Sequence, residues 1–116
     1  MISKLEEKDY ESIYGTSFHG TTVETSAKKL KEALGFEPLG PSGDGKTSRE
    51  WRVETEYGSF TIYDWKYGKK KNSSNQYIEE WGDFKDYESI PWHIGGISRD
   101  KEEQFKEELV KLLGAV

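Results

Sequence analysis

Apolar positions along this chain fall into two kinds of run. Val23, Ala27, Leu30 and Leu34 recur at helical spacing, with Lys28, Lys29, Lys31 and Glu32 around the rest of the surface. That pattern predicts an amphipathic helix ending at Gly35, a natural helix stop. Thr21 followed three residues later by Glu24 is a capping-box pattern and sets the expected start. Phe105, Leu109 and Leu112/Leu113 make a second stripe, predicting a helix over 99–113 with Asp100 and Glu103 as its capping box. Elsewhere the period is two. Residues 49–56 and 59–67 predict a hairpin joined by Tyr57-Gly58. Trp51, Val53 and Thr55 share one face of its first strand. In the second strand Phe60 and Ile62 share a face, while Thr61, Tyr63 and Trp65 take the other. Residues 90–97 predict a further strand with Pro91 at its beginning, and residues 13–19 a short first strand.

Two polar stretches separate these elements. Residues 36–47 read as a loop, with Pro38, Pro41 and glycines at 40, 43 and 45. Residues 68–89 run from Lys69-Lys70-Lys71 through Asn72-Ser73-Ser74-Asn75 into a mixed acidic and aromatic segment, and predict a long irregular excursion with a short helical turn. There is no internal repeat and no dividing linker. The order β-α-β-β-(long loop)-β-α predicts an α+β fold: a single two-layer domain over 1–116, mostly antiparallel sheet with helices on one face. If Trp51, Val53, Phe60, Ile62, Trp92 and Ile94 face the helices, strand parity puts Arg52, Tyr63, Trp65 and His93 on the opposite face. Such an aromatic face marks a ligand site or interface, unless the 68–89 segment, with Tyr77, Trp81 and Phe84 to bury, folds over it.

Composition narrows the function classes. Only 33% of the 116 residues are apolar, so the four Trp, seven Tyr and five Phe supply much of the core. The absence of cysteine excludes disulfides, thiol nucleophiles and thiolate metal sites. A net charge of −5 argues against binding bulk DNA or RNA, but not against a small anion in a locally basic pocket. No run is long enough to span a bilayer, and the charged start MISKLEEKDY lacks the apolar segment of a secretion signal. The expected setting is cytoplasmic, with no membrane contact, and the Asn72-Ser73-Ser74 sequon then carries no meaning.

Catalytic motifs are weak. Gly40-Pro-Ser-Gly-Asp-Gly45-Lys46-Thr47 matches the spacing of a P-loop. That mechanism requires a strand before the loop and a helix after it, whereas here a helix precedes and a strand follows. A Gly-rich loop that contacts a phosphate through its amides and Lys46, without hydrolysis, is the intermediate reading. Phe18-His19-Gly20-Thr21 offers a His-x-Thr, but two-histidine phosphodiesterases need two such motifs, and the other histidine, in His93-Ile94-Gly95, lacks the hydroxyl partner. It also matches the His-Gly-Thr of NAD-using transferases, whose other residues have no counterpart here. No ligand spacing supports a metal, no serine lies in a nucleophile-elbow pattern, and no cofactor is implied.

Ile62-Tyr63-Asp64-Trp65-Lys66 and Trp92-His93-Ile94-Gly95-Gly96 remain. With Phe18-His19-Gly20, Gly43-Asp44-Gly45-Lys46 and Glu50-Trp51, in this order, the sequence resembles a group of small bacteriophage proteins over residues 16–97. Phages encode proteins of this size that trap a nucleotide second messenger of bacterial immunity without cleaving it. The resemblance implies a non-enzymatic binder of a cyclic oligonucleotide or ADP-ribose derivative. A homodimer or larger oligomer is expected, because closed symmetric assembly is common and a small domain gains a deep pocket by sharing it between subunits. Tyr63, Trp65 and Trp92 are the expected stacking residues. Lys46, Lys66, Arg52 and His93 are the expected phosphate contacts, and His19 and Thr21 a second wall. The alternatives are an inhibitor or adaptor docking on a host enzyme, and a nucleotide-cleaving enzyme using His19 and His93.

Overall fold

A computed structural model describes residues 2–40, 49–65, 69–81 and 85–116, with the backbone alone for 69–71 and 77–81. The elements in chain order are β1 (Ser3–Lys4), a 3-10 helix (Glu7–Ile13), β2 (Ser17–Ser26), α1 (Ala27–Leu34), β3 (Glu50–Thr55), β4 (Gly58–Tyr63), β5 (Lys69–Lys71), β6 (Tyr77–Trp81), β7 (Ser89–Gly96) and α2 (Arg99–Gly114). Five strands form one sheet in the order β1-β3-β4-β7-β2, and every pairing is antiparallel. Both helices lie on one face, so the chain is the expected two-layer α+β domain.

The alternation in β3 and β4 works as read. Trp51, Val53, Phe60 and Ile62 are buried toward the helices, where Ile90, Trp92 and Ile94 of β7 join them. Trp51 and Trp92 meet edge to face, their centroids 5.3 Å apart. Each indole N–H donates to a backbone carbonyl, Trp51 to Phe36 at 3.0 Å and Trp92 to Thr25 at 2.9 Å. Two large aromatic groups are thereby buried with no polar atom stranded. Phe60 stacks on Phe105 at 4.5 Å and ties the sheet to α2.

Three expectations are corrected. Helix α1 starts at Ala27, not near Thr21, and Ser26 caps it by accepting from the Lys29 N–H at 3.2 Å. Residues 22–26 instead extend β2, paired from Thr22↔His93 to Ser26↔Ser89. The β-branched run Thr21-Thr22-Val23 suits a half-buried strand better than a helix start. Helix α2 is capped by Ser98, which accepts from the Lys101 N–H at 3.3 Å, rather than by Asp100. The 68–89 segment contains no helical turn among its described residues but the β5–β6 hairpin, a separate two-stranded sheet. Asn72 builds its turn, its Oδ1 accepting from the N–H groups of Ser74 and Gln76 at 2.9 and 3.0 Å. The returning chain is tied to α1, where the Lys28 N–H donates to the Asp86 carbonyl at 2.8 Å and Lys31 pairs with the Asp86 carboxylate at 3.4 Å.

The pattern did not predict β1 or the 3-10 helix. They dock through Leu5, which is buried and donates its N–H to the Arg52 carbonyl at 2.9 Å. Among the described residues no helix is long and apolar enough to cross a membrane.

The last two residues of β7 have no space for side chains. A Cβ on Gly95 would lie 2.5 Å from Thr61 Oγ1, and one on Gly96 would lie 2.7 Å from Glu102 Cγ and 2.9 Å from Phe60 Cδ1. Gly96→Ala is therefore expected to destabilise the fold by about 1–3 kcal/mol, the usual cost of overpacking a core. Gly114→Ala, at a helical position with nothing within 4 Å, serves as control and is expected to leave the urea midpoint equal or slightly higher.

Candidate functional site

The face of the sheet away from the helices carries a cluster of rings. His93 is its centre, flanked by Thr22 on β2 and Tyr63 on β4 through direct register pairs. Phe18 stacks on His93 with centroids 4.0 Å apart and planes within 13°. Trp65, two residues past the end of β4, lies 6.4 Å from His93 with its plane within 12°. Tyr63 stands across both, at 66° to His93 and 72° to Trp65. The result is three near-parallel rings with a perpendicular one among them. Phe18 and Trp65 keep 41% and 42% of their surface exposed, so neither is consumed by the core.

Local chemistry holds this arrangement. Asp64 is buried and accepts from the Arg49 N–H at 2.8 Å, which anchors the chain between Tyr63 and Trp65. The bare Cα of Gly95 lets the Tyr63 ring lie close, with Cε1 3.5 Å from where a Cβ would be. Burial raises the pKa of the Tyr63 phenol, and the carboxylates of Glu50 and Glu102 add to the rise.

The expected site residues divide. Tyr63 and His93 come together as parity requires; the strand expected over 59–67 ends at Tyr63, and Trp65 joins them from beyond it. Arg52 shares their face but is already engaged: its Nε is 2.6 Å from Glu50 Oε2 and its guanidinium sits 4.5 Å from the Tyr10 ring centroid. Lys46 and Lys66 lie outside the described residues. Trp92 does not join the cluster. It is fully buried, because its even position on β7 faces the helices with Ile90 and Ile94, and the core leaves no ring surface for stacking. Phe18 occupies the stacking position that the sequence reading assigned to Trp92. The signal for Phe18 was its place opposite Gly95, visible only once β2 and β7 are paired.

His19 and Thr21 also separate from the rings. Between Phe18↔Gly95 and Thr22↔His93, β2 advances four residues while β7 advances two. The bulge contains Gly20 at φ 100, a conformation that L side chains rarely adopt. It turns His19 and Thr21 toward α2. The His19 Nδ1 lies 2.5 Å from Glu102 Oε2, and the Thr21 hydroxyl donates to Glu103 Oε1 at 3.0 Å. The other ring nitrogen of His19, Nε2, is 3.3 Å from Ser17 Oγ. Glu102 is fully buried, and among the described residues its Oε1 has no hydrogen-bond partner. The sequence held one clue: extending the Phe105–Leu109 stripe back one turn lands on Glu102, an acid in an apolar row.

The Gly-rich P-loop match at 40–47 lies almost wholly outside the described residues, but its flanks are visible. Helix α1 comes before it and strand β3 after it, the reverse of a P-loop. Among the described residues no group of three or more histidine, aspartate or glutamate side chains could hold a metal ion. The chain matches no protein-family model, no curated protein and no solved structure.

Burial lowers the pKa of His93 from its ordinary 6.5, since the imidazolium would lose hydration among the rings. At neutral pH His93 is thus an uncharged stacking ring. As pH falls through 6.5 the unfolded chain takes up this proton before the folded one does. Stability from His93 is therefore intact above 6.5 and declines below it. Chemical denaturation of wild type and His93→Phe between pH 7.5 and about pH 5 is expected to show a shallower loss in the variant, which keeps a ring but cannot protonate.

Proposed function

We propose that the chain is a binding protein whose outer sheet face holds a planar, nucleotide-type ligand by stacking and sequesters it without turnover at that face. The observation carrying this reading is the set of near-parallel rings, Phe18, His93 and Trp65, on a partly exposed sheet surface. Aromatic faces on a sheet are a general device for holding bases, because every base offers a π-face. An uncharged His93 fits this role better than the phosphate contact expected from sequence. Lys46 and Lys66 are the proposed phosphate contacts.

The likeness to small phage proteins extends the proposal to the ligand's origin: a cyclic oligonucleotide or ADP-ribose derivative used as a bacterial immune signal, trapped in the host cytoplasm. Assembly as a homodimer would enclose what is otherwise a shallow face. Calorimetric titration with a panel of these nucleotides, followed by denaturation and analysis of the released compound, tests the reading. Tight binding with intact ligand is expected. Trp65→Ala is expected to weaken it by about 1–3 kcal/mol, roughly 5- to 150-fold, with the thermal melt preserved. Absence of binding across the panel would shift the assignment to a protein partner.

A further inference from the structure

The helix-facing side of β2 carries a second constellation, independent of the aromatic face. Ser17 lies opposite Gly96, His19 enters the bulge two residues on, and their side chains meet. Ser17 Oγ is 3.3 Å from His19 Nε2, and His19 Nδ1 is 2.5 Å from Glu102 Oε2. With the Glu102 carboxylate accepting from Nδ1–H, the free lone pair of His19 is on Nε2, facing the Ser17 hydroxyl. That is the connectivity of nucleophile, base and orienting acid. We propose that Ser17, His19 and Glu102 form an acyl-transfer site that takes activated carboxylic esters.

Three features argue that this is a built site rather than a chance contact. A fully buried carboxylate is expensive, and among the described residues Glu102 has one partner on Oε2 and none on Oε1, an arrangement poorly suited to stability alone. The surroundings are shaped to admit it: Gly96 lacks the Cβ that would lie 2.7 Å from Glu102 Cγ, and the bulge with Gly20 at φ 100 carries His19 over the carboxylate. Bulges of this kind re-aim side chains and are common beside active sites. Ser17 is exposed and His19 keeps 34% of its side-chain surface, so the reacting groups are open to substrate while the orienting acid is dry.

A further group suits the chemistry. The Arg99 guanidinium reaches the bulge, its Nη1 3.7 Å from where a Gly20 side chain would begin and its Nε 3.9 Å from Glu103 Oε1; its remaining N–H donors and positive charge are the proposed stabiliser of a developing oxyanion. In the reaction, Ser17 Oγ attacks the ester carbonyl and its proton passes to His19 Nε2. The C–O bond to the leaving alcohol breaks and the alcohol departs with that proton. Water then attacks the acyl-serine, delivering a proton to His19, which returns it to Ser17 Oγ as the carboxylic acid leaves. Glu102 touches no reacting atom and acts as a positioning residue.

The test uses the full chain and an alkyl fluorophosphonate, which forms a stable O–P bond to an activated serine with loss of fluoride. One adduct is expected, placed on Ser17 by peptide mass mapping and absent in Ser17→Ala. His19→Ala is expected to slow labelling about a hundredfold or more, with added imidazole restoring part of the rate, a rescue that a merely structural histidine would not show. Glu102→Gln is expected to lower the maximal labelling rate at least tenfold with the half-saturating probe concentration unchanged. Glu102→Asp, which keeps the charge, is expected to retain more of the rate. No adduct on folded wild type, an adduct elsewhere, or labelling of Ser17 indifferent to His19→Ala would overturn the assignment. Nucleotide titration of Ser17→Ala and probe labelling of Trp65→Ala separate this site from the aromatic face, since each variant leaves the other readout intact.

Discussion

Strand β7 has no room for a side chain at its last two residues, and much else in the molecule follows from that. It is an interior strand, paired with β4 on one side and β2 on the other, so both of its edges are hydrogen-bonded. On one face the missing Cβ of Gly95 admits Thr61 and the ring of Tyr63; on the other, that of Gly96 admits Phe60 and the stem of Glu102. The sheet can therefore carry large side chains close to its backbone on both sides at once. Close-packed interiors tolerate no free volume and no overlap, so this constraint is steric before it is anything else.

The two faces use that space differently. On the helix side the core is Trp51, Trp92, Phe60 and Phe105 with aliphatic residues between them, and each buried indole finds a carbonyl. At the edge of that core sits a carboxylate, Glu102, reached by His19 across the bulge. On the opposite face the N-terminal 3-10 helix covers part of β3 and β4, with Tyr10 over Arg52 and Ser12 2.8 Å from Ser59. The rings around His93 lie beyond that cover and keep part of their surface. The outer face is thus divided into a covered half and a half that keeps aromatic surface.

The sequence reading succeeded where the information is local. Period-two alternation placed Trp51, Val53, Phe60 and Ile62 on one face and Arg52 and Tyr63 on the other, because successive side chains in a strand must alternate. It failed where two periodicities share residues. Val23 and Ala27, four apart, fit a helix and also a strand running into one. Pairing of Thr22–Ser26 with β7 decided for the strand, and no local signal reports that pairing. Trp92 shows the same limit from another side: parity assigned it to the helices, yet its neighbours in the motif drew it into a stacking role that its burial excludes.

By itself the sequence determined the two-layer arrangement, the β3–β4 hairpin, the C-terminal helix and which residues of β3, β4 and β7 face the core, since these depend on spacing along the chain. Only the tertiary structure decided which chemistry meets which. His19 and Glu102 are 83 residues apart, and their contact depends on a bulge, a glycine at φ 100 and a missing Cβ at Gly96 acting together. Phe18 joins His93 because β2 and β7 pair with Phe18 opposite Gly95. Strand pairing and close approach are properties of distant segments in contact, and no window of sequence contains them.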